Sequence, residues 1–192
     1  MITCPKFVIG HIAKTGGDAV KQICAAVFES GLEQDYYIDT IFGSTKHRSF
    51  TGNELCRVLS FRRLGSFIMS IAYHDHFLGG RPLWTPEFCC QLKNGDDSLN
   101  TMTQNYTVLI DKWLRCEILR VDLIDLFKEK YGNMFTERHE QIIYNTPTKH
   151  SMSYDHDVYK FFTKNQLQIL YENNPQWANI EKQLYVNIPV EK

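Results

Sequence analysis

The chain has 192 residues, 43% hydrophobic and 22% charged, enough to enclose a core and unlike a disordered or fibrous chain. Its 21 Lys and Arg balance 22 Asp and Glu, so the broad positive field of a general nucleic-acid binder is missing and any anion site has to be local. No run reaches the ~20 apolar residues of a membrane span, and residues 1–6 hold no signal-peptide core, so a cytoplasmic protein without a membrane span is expected. Of the six cysteines only Cys89 and Cys90 are adjacent and none has CxxC spacing; free, mostly buried thiols and no metal site are expected.

No repeat, low-complexity tract or linker divides the sequence, so residues 1–192 are expected to form one domain. Residues 6–12 (KFVIGHI) are short, apolar and β-branched, predicting a strand that Gly16 and Gly17 separate from a helix. In that helix Ala19, Val20, Ile23, Cys24, Val27 and Phe28 share one face, and Gly31 stands where a left-handed cap belongs. Residues 56–61 (CRVLSF) predict a second strand, followed by a helix over about 65–77 with Phe67, Ile68, Ile71 and Ala72 inward. Thr85 and Pro86 open a short helix that runs to about Lys93, before Gly95. Residues 108–116 predict a third strand, and Leu119, Leu123, Leu126 and Phe127 a helix stopping near Gly132. Thr163 and Gln166 form a T-x-x-Q capping box for a helix with Leu167, Leu170 and Tyr171 inward, ended by Pro175. Strands alternating with helices predict an α/β fold around a mainly parallel sheet flanked by helices.

The first strand–helix turn, residues 10–18 (GHIAKTGGD), sets glycines and Lys14 at a helix N-terminus. Phosphate binds at such turns in α/β proteins, because unpaired N–H groups and the positive end of the helix dipole converge there and small glycines let an anion approach. A Walker A loop needs Gly-Lys-Ser/Thr after four spacers, whereas Lys14 precedes the glycines here.

His11-Ile-Ala-Lys14-Thr15-Gly16-Gly17 resembles the HxxKTGGT-type motif of the carbohydrate sulfotransferases, whose loop holds the 5′-phosphosulfate of 3′-phosphoadenosine 5′-phosphosulfate (PAPS). Arg62 and Ser70 have the family's spacing for the pair that binds the 3′-phosphate. Lys46-His47 is similar to its loop histidine, and Leu114-Arg115-Cys116-Glu117 to its IRFE strand. Residues 145–150, with Lys149, and then Tyr159 to Leu170 resemble its C-terminal loop and the helix that closes on the nucleotide. The resemblance spans about Phe7 to Tyr185 and implies a P-loop-like domain that moves a sulfuryl group from PAPS to a hydroxyl, of a glycan, without a metal. It assigns Lys14, Thr15, Gly16, Gly17, Asp18, Arg62, Ser70 and Lys149 to the donor and Lys14 and His47 to catalysis. The missing N-terminal membrane and stem segments of Golgi members point to the small bacterial or viral type.

Three departures set up a rival expectation. Asp18 stands where the family has Thr or Ser, Arg62-Arg63-Leu64 replaces Arg-Asn/Asp-Pro, and Phe67 replaces a frequent arginine. A non-catalytic nucleotide-binding or interaction protein on the same fold is that alternative. His11 is expected to be structural, Arg63 a solvated charge, and Glu117 a partner to a nearby cation. His74 and His76 are expected as exposed residues at the far end of the second helix. Residues 78–107, with Arg81, Trp84 and Gln104, are the expected acceptor wall.

Overall fold

Strand β2 (Phe7–His11) is buried at all five positions, as a strand covered on both faces should be. Its run of Phe, Val and Ile is what the sequence marks as apolar and β-branched. The computed structural model describes residues 1–38, 50, 56–103, 109–147 and 154–186. Strand β1 (Ile2–Cys4) folds back on β2 through Pro5 and Lys6, pairing Ile2 with Ile9 antiparallel, and β3 (Tyr37–Ile38) adds antiparallel to β1. On the other side β4 (Arg57–Phe61) lies parallel to β2, and β5 (Lys112–Arg115) parallel to β4. The result is an α/β structure whose five-stranded mixed sheet has the order β3-β1-β2-β4-β5. The antiparallel edge of β1 and β3 adds to the three strands read from sequence, and β5 is shorter than the expected 108–116.

In chain order the helices are α1 (Gly17–Val27), α2 (Leu64–Gly79), α3 (Pro86–Cys89), α4 (Asn94–Thr103), α5 (Leu119–Tyr131), α6 (Glu137–Asn145), α7 (Val158–Phe161), α8 (Lys164–Asn173) and α9 (Pro175–Leu184). The chain groups into two units, Met1–Phe61 with Thr101–Lys149 and Arg62–Asn100 with His150–Lys192. None of the helices is long and apolar enough to cross a membrane among the described residues.

The first unit holds the sheet with α1, α5 and α6. Val20, Ile23, Cys24 and Val27 are the buried face of α1, and the helix widens into a π-type turn in which Gly31 takes the expected left-handed conformation, φ 101°. Phe7, Phe28, Phe127 and Phe135 form its aromatic centre, with Phe7 edge-on to Phe127 at 5.9 Å and Phe28 edge-on at 5.7 Å. Each such buried ring contributes about 1.5–3 kcal/mol. Arg115 is held by Asp122, whose carboxylate accepts from the Arg115 backbone N–H at 2.6 Å and from Nη2 at 2.5 Å. None of the six cysteines is in a disulfide, and five of them are buried.

The second unit is helical, and α4 begins in it. Two buried or half-buried polar side chains tie its helix ends. Asn174 accepts from the N–H groups of Gly95 and Asp96 at 3.0 and 3.3 Å, and gives its two amide hydrogens to the carbonyls of Leu92 and Leu170 at 2.7 and 2.8 Å. Asp96 in return accepts from Trp177 N–H at 2.8 Å and Gln176 N–H at 3.3 Å. The α4 and α9 N-termini are thus capped by each other's segments, which answers the unpaired N–H groups of both first turns. One reading is corrected: Gly95 does not follow a helix but lies in the first turn of α4. Helix α8 ends at Asn173 with Asn174 as its cap, as expected ahead of Pro175, and the same proline opens α9 at its first position. The helix opened by Thr85 and Pro86 ends at Cys89 rather than near Lys93, and the stretch from Tyr159 to Leu170 is broken between α7 and α8. The Thr163–Gln166 capping box forms as expected.

Helix α6 starts with a capping box in which histidine replaces the usual Glu or Gln, His139 Nδ1 accepting from Thr136 N–H at 2.9 Å. Burial, and then the Arg138 charge, hold the His139 pKa below its ordinary value. The unfolded chain therefore takes up a proton first as pH falls through about 6.5, and the His139 contribution to stability declines below that pH until the folded residue also protonates. His139→Gln keeps an acceptor at the same place. Urea midpoints at pH 7.5 and 5.0 should show the variant near wild type at the first and ahead of it at the second; an unchanged pH dependence contradicts this assignment.

Candidate functional site

The C-terminal ends of β2, β4 and β5 lie side by side, with His11 opposite Ser60 and Phe61 opposite Arg115. Crevices at the carboxyl ends of parallel strands are where α/β proteins bind ligands. The turn that leaves β2 there has an unusual backbone. Lys14 is left-handed at φ 68°, the one such non-glycine among the described residues, and Gly16 is left-handed at φ 83°. A lysine in that region costs on the order of 1 kcal/mol that a glycine would not. Left-handed residues set among right-handed ones turn successive N–H groups to one side, the concavity that receives anions.

Each remaining residue of the turn has a local reason. Thr15 is fully buried, and both its donors go to the Ile12 carbonyl, N–H at 3.2 Å and hydroxyl at 2.7 Å. Its oxygen in turn lies 2.7 Å from Ser60 Oγ, which must be the donor because the Thr15 proton is already given. Thr15 therefore holds the turn to β4, and its side chain faces the protein instead of a ligand. A Cβ at Gly16 would meet Cys116 Sγ at 3.1 Å, and a Cβ at Gly17 would fall 2.2 Å from Cδ2 of the His11 ring. The second glycine is there because His11 occupies its side-chain space. This gives the buried His11 its structural part. Helix α1 starts at once, with Gly16 as N-cap and no side-chain cap bond, and exposed Asp18 sits in its first turn.

Lys14, Thr15, Gly16, Gly17 and Asp18 are thus brought together in the first unit. Arg62 and Ser70 belong to the second unit. The Arg62 carbonyl accepts from Trp177 Nε1 at 3.0 Å. Ser70 lies in the second turn of α2, 5% exposed, and its hydroxyl has no hydrogen-bond partner among the described residues. Arg63 is not the expected solvated charge: its guanidinium is 3.7 Å from the Glu181 carboxylate and stacks on the Tyr185 ring at 4.4 Å. Glu181, which sequence reasoning missed, also accepts from Leu64 N–H at 2.7 Å, capping α2, and from Tyr171 OH at 2.8 Å. Burial, with the Glu181 charge, pushes the Tyr171 phenol up, so it stays a donor. Ser60 was also missed, although a serine inside the apolar run CRVLSF is a visible signal. His47, Lys149 and Gln104 lie outside the described residues. No cluster of three metal-ligating side chains occurs among the described residues. Comparison with family models, with curated proteins and with solved structures gives no match.

Proposed function

We propose that this chain is a PAPS-dependent sulfotransferase that moves a sulfuryl group to a hydroxyl of a carbohydrate, with β2, β4 and β5 as the parallel part of a P-loop-like fold. The observation that carries the reading is Lys14: a charged side chain kept in a left-handed conformation, where glycine would be easier, in a turn at a helix N-terminus. The buried Ser70 hydroxyl, which has no partner among the described residues, supports the 3′-phosphate assignment, since a buried hydroxyl is normally hydrogen-bonded.

In this reading Lys14 and the N–H groups of Gly16, Gly17 and Asp18 hold the 5′-phosphosulfate, and Thr15 positions the turn. The same reading gives Lys149 to the donor nucleotide. His47 takes the proton of the acceptor hydroxyl while its oxygen bonds to sulfur. The bond from sulfur to the bridging oxygen breaks, that oxygen keeps the electron pair, and 3′,5′-adenosine bisphosphate leaves. Lys14 stabilises the charge that builds on the bridging oxygen, so positioning and electrostatics supply most of the rate. Incubating the protein with PAPS and a panel of glycans tests this: the reading expects acceptor-dependent release of the bisphosphate, and its absence with every hydroxyl acceptor rejects turnover.

A nucleotide-binding protein without turnover is the second reading, favoured by exposed Asp18 in the first turn of α1. A carboxylate stabilises a helix N-terminus but repels an anion bound there. Asp18→Thr removes the like charge and adds a hydroxyl donor, so it should bind the bisphosphate more tightly. Weaker binding would mean that Asp18 helps the site.

A further inference from the structure

Two arginines, Arg62 and Arg63, stand side by side where β4 passes into α2. Three residues spaced four apart hold that passage: Trp177 and Glu181 in α9 and Tyr185 at its end. Such spacing sets side chains in a row along one helix face. Trp177 Nε1–H donates to the Arg62 carbonyl at 3.0 Å, and its wholly buried ring stacks on Phe67 at 4.4 Å. Glu181 accepts from Leu64 N–H at 2.7 Å and lies 3.7 Å from the Arg63 guanidinium, which stacks on the Tyr185 ring. All of these residues belong to the second unit.

Local chemistry explains why the passage is held from a distance. Arg63 is the N-cap of α2 and makes no side-chain cap bond, because a guanidinium has no acceptor. Leu64 keeps an N–H that a proline at this first helical position would lack. That donor is buried, so it needs an acceptor, and Glu181, 117 residues further on, is the one it finds. Arg63 is thereby committed to Glu181 and Tyr185. The Arg62 carbonyl and the Leu64 N–H, which belong to the two peptide units that follow the Arg62 Cα, are both fixed by α9.

We infer that Trp177 and Glu181 are positioning residues that set the preference of this site for a 3′-phosphorylated nucleotide, an inference that rests on the proposed assignment of Arg62 and Ser70 to the 3′-phosphate. A guanidinium meets a phosphate through a rigid, planar fork of donors, so its bond strength depends on the angle of approach. That angle is set by the backbone that carries the side chain, and a small misplacement weakens binding without any loss of charge. Trp177 and Glu181 act through Arg62 and need not touch the nucleotide. Glu181, 7% exposed, is itself satisfied by Leu64 N–H, Tyr171 OH and Arg63. A buried carboxylate with these partners is strongly held, and removing only one side of the Arg63–Glu181 pair would leave a buried charge uncompensated.

Calorimetric titration of the full chain with 3′,5′-adenosine bisphosphate and with 5′-AMP, the same nucleotide without the 3′-phosphate, tests the inference. The unaltered protein should bind the bisphosphate roughly tenfold or more tightly than 5′-AMP, and Arg62→Ala should erase the difference. Trp177→Phe keeps a ring on Phe67 and removes the N–H donor. It should narrow the preference roughly three- to tenfold and leave the affinity for 5′-AMP unchanged. Glu181→Ala combined with Arg63→Ala removes both charges together and should narrow it in the same way. Full preference in Trp177→Phe overturns the part of Trp177, and full preference in the double variant that of Glu181; Arg62 then keeps its assignment. An equal loss of affinity for both nucleotides in either variant reveals a role in the fold alone and overturns positioning by that residue. An unaltered protein that binds the two nucleotides alike, or neither, overturns the 3′-phosphate assignment itself and this inference with it.

Discussion

Gly17→Ala should cost about 3 kcal/mol of stability, the upper part of the usual range for overpacking. The new methyl would sit 2.2–2.5 Å from three atoms of the His11 ring, and that ring is buried at the end of β2. The backbone is not the obstacle, because Gly17 lies outside the left-handed region and alanine favours a helix. A second substitution isolates the steric cause: His11→Ala opens the space that the methyl fills. In a urea-unfolding cycle the double variant should be more stable than Gly17→Ala alone, although His11→Ala alone leaves a cavity and destabilises. Purely additive losses would mean that Gly17 is required for some other reason than the ring.

The other large effect concerns turnover. His47→Ala should lower it by about 10²–10⁴-fold, the usual contribution of a positioned base. An unperturbed histidine pKa near ~6.5 leaves the ring mostly neutral, and so able to accept a proton, at neutral pH. Because the base acts on the acceptor, affinity for the bisphosphate should remain close to wild type, which separates loss of chemistry from loss of the donor site. Full activity in the variant, with the acidic limb of the rate profile intact, would reject His47 and turn attention to His74, His76 and Glu117.

What could be read from the sequence was what local pattern determines. The apolar run of β2, the spacing of Val20, Ile23, Cys24 and Val27, the left-handed Gly31 and the Thr163–Gln166 box all act within a few residues of themselves. The elements that escaped depend on distant partners. Asn-Gly-Asp-Asp has the local chemistry of a turn, yet α4 begins there because Asn174, 79 residues from Gly95, caps it. Proline is equally at home after one helix and at the start of the next; Pro175 does both, and the second role depends on Asp96, which accepts the α9 N–H groups. The strands β1 and β3, of three and two residues, are too short to carry a period. The candidate site divides in the same way. Its lysine and glycines are visible as a motif, whereas the support of Thr15 by Ser60 crosses 45 residues and the pairing of Arg63 with Glu181 joins opposite ends of the second unit's sequence.

The most direct test of the anion turn uses Lys14→Gly. Glycine accepts φ 68° without strain, so the variant should fold at least as stably as wild type, by up to about 1 kcal/mol, while losing the ammonium. Calorimetric titration with 3′,5′-adenosine bisphosphate should then give an affinity ten- to hundred-fold below wild type, since a charge-assisted hydrogen bond contributes about 1.5–3 kcal/mol. Arg62→Ala should fall by a similar factor. Wild-type affinity in both variants, or no binding of the nucleotide to the unaltered protein, would contradict the assignment of this turn.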